Sequence, residues 1–311
     1  MKNKEKAMMK RLIVALLLLA LLCPSALAAG GTVTFQETIT VEADADYVDL
    51  GDVKAKSISS LIRFLQKLPN LKKVDMFATP VYAAQIEQLT AALPGVEFGW
   101  TMCIDCHNPH HSDRNRHLIR TDATAFSTLH NNQCTQHTSQ DFEILKYCKE
   151  LKGLDIGHNA VTSLDFLRYL PKLRVLIIGR NSVKDLSPIK ACPDLEYLEA
   201  FTNQIESVEP LLSCPHLMDL NIPNNRIQDP ELFARMTSLK RLWAFNYAWQ
   251  DMSRDRAPAQ IKNMIKKALP NTRINWYSGG TNEWREPHKH YAVIKEMFNT
   301  GKYIPFEDSY P

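Results

Sequence analysis

The chain has 311 residues, 45% hydrophobic and 23% charged, the balance of a folded protein and not of a disordered one. Its net charge of +3 falls to −1 once the first 28 residues, with five basic side chains and one acidic, are set aside. That near-neutral balance argues against nucleic acid or an anionic membrane surface as partner. The length suits one elongated domain or two compact ones.

Lys2, Lys4, Lys6, Lys10 and Arg11 precede an apolar run from Leu12 to Leu22, and Ala26-Leu27-Ala28 follows as a small-x-small cleavage site. Residues 1–28 therefore read as a secretory signal peptide. The run is short for a membrane span, so no membrane insertion is expected after cleavage; an uncleaved anchor is the alternative. Cys23 follows Leu22, where a lipoprotein signal needs a small residue, which argues against lipidation. The expected location is secreted or at the cell surface.

Residues 29–118 carry a β–turn–α pattern. After a Thr- and Glu-rich lead-in, Tyr47 to Leu50 reads as a strand, and Ile58, Leu61, Ile62, Leu65 and Leu68 follow at helical spacing up to Pro69. A second strand at Leu71 to Met76 comes 26 residues after the first. Ile86, Leu89 and Leu93 mark a second helix, stopped by Pro94-Gly95, and Val96 to Trp100 is a third strand. Such helix-bearing units suit an N-terminal α/β cap on a repeat array, whose open end must be covered. A separate small α/β domain is the alternative.

Between residues 100 and 137 lie six of the ten histidines and three of the six cysteines outside the signal. Cys103-x-x-Cys106-His107 in an exported protein is the attachment signature of c-type haem, with His110, His111 or His117 available as the second axial ligand. The motif resembles those of multihaem cytochromes, but it occurs once and its flank, Ser112 to Arg116, is polar. Cys103, Cys106 and two neighbouring histidines also suit tetrahedral zinc. The plain reading is a Cys103–Cys106 or Cys106–Cys134 disulfide with solvated histidines and no cofactor.

From residue 119 to 250 the chain repeats. Leu151-x-x-Leu154-x-Ile156-x-x-Asn159-x-Val161 recurs every 22 residues, opening again at Leu173, Leu195 and Leu217, and a fifth copy from Leu239 loses the pattern at Tyr247. Alternation around Leu154 and Ile156 makes a short strand with one buried face. Asn159, Asn181, Asn203 and Asn225 form a ladder where the chain leaves the strand, each amide able to donate and accept inside the turn. The second half of each copy (Leu164/Leu167/Leu170 in the first) supplies the opposite wall through 3₁₀ or helical turns. Residues 129–150 read as a degraded copy, with His137 in the Asn position, and Cys148, Cys192 and Cys214 recur in phase as small core residues.

The form L-x-x-L-x-L-x-x-N-x-I is that of leucine-rich repeats. With a 22-residue period and Asp-Leu-Ser-Pro-Ile at Asp185 to Ile189, it resembles the internalin-type class of bacterial secreted and surface proteins. The resemblance covers about a third of the chain. It implies an α/β solenoid: a curved array with parallel strands on a concave face and α/β capping units at both ends. It also implies a protein or peptide partner on that face.

Residues between the buried Leu positions point to the concave side. They include Arg174, Tyr197, Glu199, Phe201, Arg241, Trp243 and Phe245, rich in the Trp, Tyr and Arg of binding hot spots. We expect a partner-binding patch there, unless the chain beyond 250 folds back and makes these rings core.

Residues 251–311 read as a helix–strand–helix C-terminal cap. Ile261, Met264, Ile265 and Leu269 share a helix face, Leu269-Pro270 to Trp276 echoes Leu93-Pro94 to Trp100, and a last helix from Trp284 to Phe298 is expected to pack on that cap. His288 and His290 are read as surface residues. No P-loop, nucleophile elbow, H-E-x-x-H or dinucleotide fingerprint occurs in the sequence, which points to a non-enzymatic binding protein.

Overall fold

The computed structural model describes residues 31–105, 116–129, 136–244, 259–276, 282–286 and 288–306. The signal peptide, Cys106, His107, His110, His111, Cys134 and Phe245 lie outside the described residues. The chain divides into two compact units, Met1–Thr101 and Met102–Pro311.

In the first unit, β1 (Thr32–Phe35) and β2 (Ile39–Glu42) form an antiparallel hairpin in register Val33 to Val41. β3 (Tyr47–Asp49), α1 (Ile58–Leu65), β4 (Lys73–Val81), α2 (Ala83–Ala92) and β5 (Glu97–Asp105) follow. β3 and β4 are parallel, Val48 against Val74, at the 26-residue offset visible in the sequence. Ser57 starts α1 because its hydroxyl accepts the Ser60 N–H at 3.1 Å, one of the donors a helix start leaves open. The apolar face of α1 (Ile58, Leu61, Ile62, Phe64, Leu65) is buried.

β6 (Arg116–Arg120) belongs to the second unit. The rest of the second unit is a seven-stranded sheet of order β13-β12-β11-β10-β9-β8-β7. Its strands have three residues each: β7 (Ala125–Ser127), β8 (Gly153–Asp155), β9 (Val175–Ile177), β10 (Tyr197–Glu199), β11 (Asp219–Asn221), β12 (Arg241–Trp243) and β13 (Arg273–Asn275). All pairings are parallel, and Leu154, Leu176, Leu198, Leu220 and Leu242 stand in one row. The five returns between β7 and β12 are 3₁₀ helices (Ser139–Tyr147, Asp165–Tyr169, Ser187–Ala191, Glu209–Ser213, Pro230–Arg235). α3 (Ala259–Ala268), α4 (Asn282–Arg285) and α5 (Lys289–Thr300) complete the unit.

The core between strands and returns is closed. Leu151, Leu154, Ile156, Leu164, Leu167 and Leu170 are fully buried, and so are their counterparts one repeat on. Cys148, Cys192 and Cys214 are buried free thiols, and burial pushes Cys148 and Cys192 up to about 12. The degraded copy is displaced from its expected phase. Phe126 pairs with Leu154 at an offset of 28 residues, whereas Thr138 bridges Ala160 at 22, so six extra residues fall between them.

The asparagine ladder ties each turn to the next. Asn203 Nδ2 donates to the carbonyls of Ile178 at 2.9 Å, Ala200 at 3.3 Å and Phe201 at 3.4 Å, and its Oδ1 accepts Val183 N–H at 3.0 Å. Asn159, Asn181 and Asn225 repeat the arrangement. Before each Asn the chain turns through the left-handed region, with φ of 57° at His158, 54° at Arg180, 53° at Thr202 and 59° at Asn224. Of these, β-branched Thr202 is the least suited to that region.

Two substitutions test this account. Asn203→Ala strips the Val183 amide and three carbonyls of a buried partner and is expected to cost about 2–4 kcal/mol in urea unfolding. Thr202→Asn, which places at Thr202 the residue native to the next copy, is expected to raise stability by about 0.5–1 kcal/mol in the same assay. No gain would show that the turn is not strained.

Candidate binding face and the segment that occupies it

In each short strand the central Leu faces the repeat interior, and its two neighbours face the other way. Had that outer face been open to solvent, these neighbours would be exposed. They are buried throughout β8 to β12. The reason is the C-terminal stretch, residues 282–286 and 288–306, which lies across the strands. The expectation that the last helix packs on a C-terminal cap is thus corrected: α5 packs on the strand face, with Met297 and Phe298 in one buried cluster with Ala125, Val175, Tyr197 and Trp243.

Trp284 is the centre of the contact and is fully buried. Its indole lies 5.5 Å from the Trp243 ring and 6.0 Å from the Tyr197 ring, centroid to centroid. Burying an indole removes roughly 200 Å² from water, on the order of 5 kcal/mol as an upper estimate. Its Nε1 donates to Tyr197 Oη at 2.7 Å and to Glu199 Oε1 at 3.1 Å. Glu199 also accepts from the Tyr197 hydroxyl and, at 2.7 Å, from Arg285.

The neighbouring strand repeats the arrangement with other residues. Both Asp219 carboxylate oxygens take an Arg241 donor at 2.8 Å, and Oδ2 lies 2.7 Å from His290 Nδ1. Arg241 reaches back to the Trp284 carbonyl at 2.9 Å, its guanidinium 3.9 Å from the indole centre. The His290 ring stacks on Phe306 at 4.3 Å. At the other edge, the Ala125 N–H donates to the Gly301 carbonyl at 3.1 Å and the Tyr303 N–H to Thr124 Oγ1 at 2.8 Å. Gly153 leaves room for Met297, whose sulfur would lie 2.6 Å from a Cβ placed there.

The electrostatics follow from burial. Tyr197 is pushed well above its ordinary value by burial and then by Glu199. Burial opposes the Arg285 charge, but Glu199 opposite outweighs it and holds the guanidinium protonated. His288 is lowered from 6.5 to about 4, first by burial and then by the Arg241 cation, with Asp219 acting the other way. Asp219, His288 and His290 bring one ligand atom each within 4.8 Å of one another. Because Arg241 occupies both Asp219 oxygens with a fixed cation, this cluster reads as an ion-pair network and not as a metal centre.

The expected site residues are therefore placed as follows. Tyr197, Glu199, Phe201, Arg241 and Trp243 are buried, and Arg174 is half-buried against Glu196 at 2.6 Å. The open patch is corrected on this point: its residues meet the chain's own segment. Phe201 turns sideways into the space Gly179 leaves, where a Cβ would lie 2.4 Å from its ring. Cys103 is buried in β5. His117 and His137 are buried ring to ring at 5.1 Å. The sequence reading missed Trp284, Arg285 and His290 as partners of the face, and placed His290 at the surface, where it is 1% exposed. The available signal was charge: the strand columns hold Asp155, Glu199 and Asp219, which need cations if buried.

Leucine Rich repeats match in two copies, at residues 149–191 and 171–213. The central repeats are leucine-rich repeats. No curated protein matches the chain. Among solved structures, an internalin (inlF) of Listeria monocytogenes is 18% identical with a TM-score of 0.38, over 75% of this chain and 53% of that one. Internalin C2 of the same species is 20% identical with a TM-score of 0.33, over 66% and 85%. A leucine-rich repeat protein of Leptospira interrogans is 18% identical with a TM-score of 0.40, over 70% and 57%. The chain thus spans about half the length of the first internalin. Among the described residues, no helix is long and apolar enough to cross a membrane.

Glu199→Gln removes the counter-charge of partly buried Arg285 and is expected to cost about 2–3 kcal/mol in chemical unfolding. A loss below 1 kcal/mol would show that the ion pair is idle. A depressed His288 means that the folded chain favours the neutral ring: the stabilisation is complete above pH 6.5 and is lost as pH falls toward about 4. The thermal midpoint is expected to drop over that window, and to drop less in His288→Asn. An unchanged slope in that variant would assign the effect elsewhere.

Proposed function

We propose that the protein is an exported, non-enzymatic leucine-rich repeat scaffold that binds a protein or peptide on the strand face of a curved array, with α/β units capping both ends. Leucine-rich repeat proteins generally mediate protein–protein interaction. The observation that carries the reading here is that the strand face already holds a polypeptide segment by side-chain recognition, Glu199 to Arg285 and Tyr197 to Trp284. Affinity in such a site comes from a rigid surface ordered before the partner arrives. Catalysis, cofactor, nucleic acid and membrane insertion after signal cleavage have no part in the reading, and its location is secreted or at the cell surface.

A photo-crosslinking amino acid at Tyr303, half-buried beside this face, and another at Lys190, exposed on the 3₁₀ side, test the proposal in the exporting cells. The expected result is one protein trapped from position 303 and absent from position 190, and binding of that protein, once purified, to the isolated chain. Equal trapping from both positions, or none, would overturn it.

A second reading places haem c or zinc in the Cys103-Cys106-His107 loop, with the repeats as scaffold. His117 and His137, from the same Cys/His-rich stretch, are in buried ring contact. Intact mass and metal content of the exported protein decide: a mass from Ala29 onward with no haem and no bound zinc would eliminate this reading.

A further inference from the structure

The segment 282–306 meets its face as a partner protein would. Its polar anchors are Trp284, Arg285 and His290, set against carboxylates and aromatic rings beside the apolar Ile294, Met297, Phe298 and Phe306; tryptophan and arginine are the residue types that dominate binding hot spots. Arg285 is the cation that the segment supplies to Glu199. If the segment leaves, Glu199 keeps the Tyr197 hydroxyl and gains water.

A second observation concerns Asn221, between Glu199 and Trp243 on the same sheet. Its side chain is 1% exposed, and neither its amide oxygen nor its amide nitrogen has a hydrogen-bond partner. By strand alternation it lies on the outer face with Asp219. A buried side-chain amide left unsatisfied is costly, and it is the group that can accept from and donate to one peptide unit at once. The resident segment therefore uses the carboxylates of the face but leaves its amide unused.

We propose that residues 282–306 are a tethered ligand, and that the strand face takes in trans a polypeptide presenting an aromatic–arginine pair, which seats in the Tyr197/Glu199 pocket, bonds its backbone to Asn221 and displaces the segment. This inference rests on the strand-face reading above and specifies the chemistry of the partner.

The test uses the full chain carrying Trp284→Ala and Arg285→Ala, titrated by fluorescence anisotropy with a labelled synthetic peptide of residues 282–306. The expected result is a monomeric, cooperatively folding variant that binds the peptide at least tenfold more tightly than the unaltered chain does. Adding Glu199→Gln, or replacing the Trp and Arg of the peptide by Ala, should weaken binding at least tenfold. Asn221→Leu should leave the binding of this peptide unchanged within about twofold, because the segment's own sequence does not use that amide; a tenfold loss would overturn the assignment of Asn221 to the backbone of a different partner. A folded variant that ignores the peptide, or binds the Ala peptide equally, would overturn the proposal, as would a variant that dimerises instead. Should the variant not fold, hydrogen exchange on the unaltered chain decides. Amides of α5 should exchange at least tenfold faster than those of β9 to β11, and equal protection would make the segment permanent core. Trapping of a partner at position 303 that is indifferent to Glu199→Gln would leave the scaffold reading standing and remove this one.

Discussion

Glu199 and Asp219 stand mid-sheet and fully buried, and carboxylates so placed need donors and counter-charge to offset the hydration they lose. The repeats provide part of what is needed, through the Tyr197 hydroxyl and Arg241. The remainder comes from 71 to 86 residues further along the chain, in the indole N–H of Trp284, the guanidinium of Arg285 and the ring of His290. Because the two carboxylates sit on neighbouring strands, satisfying both fixes where α4 and α5 lie. The apolar contacts of Met297, Phe298 and Phe306 then follow as packing on a position the polar groups have set.

Beneath this lies a second constraint, local to each repeat. A three-residue strand followed by a turn leaves carbonyls and amides inside the coil, and the Asn amide is long enough to satisfy several of them from one position. The period of 22 residues is held because each Oδ1 receives an amide from the preceding repeat, which locks neighbouring turns in phase. Where His137 replaces Asn, the ladder loses a side-chain amide: the His137 N–H still donates to Asn159 Oδ1, as the preceding copy does in the other rungs, but the strand shifts to an offset of 28. Phase is kept by side-chain amides, and the core leucines only fill the volume that phase defines.

The face that results is ambiguous by chemistry. Trp, Tyr and Arg gather both at surfaces that bind partners and at positions that anchor a chain to itself, since either role needs a large ring with a polar edge and a cation that pairs in low dielectric. Here they do the second in the free chain. The unsatisfied Asn221 amide marks the place where self-association leaves a polar group without its complement.

The repeat array was legible in the sequence because its determinants are periodic and near in the chain: the Leu row, the Asn ladder, the in-phase cysteines and the 26-residue step from Val48 to Val74 each appear as spacing. Strand columns were legible for the same reason, so Tyr197, Glu199, Arg241 and Trp243 could be placed on one face. What covers that face was not legible. The pairs Glu199–Arg285 and Asp219–His290 join residues 86 and 71 apart with no period linking them. The helical spacing of α5 states only that it has an apolar side. Local pattern determined the coil and its two faces; only the tertiary structure decided that the outer face is occupied, because desolvation of a carboxylate depends on everything around it and not on its neighbours in sequence.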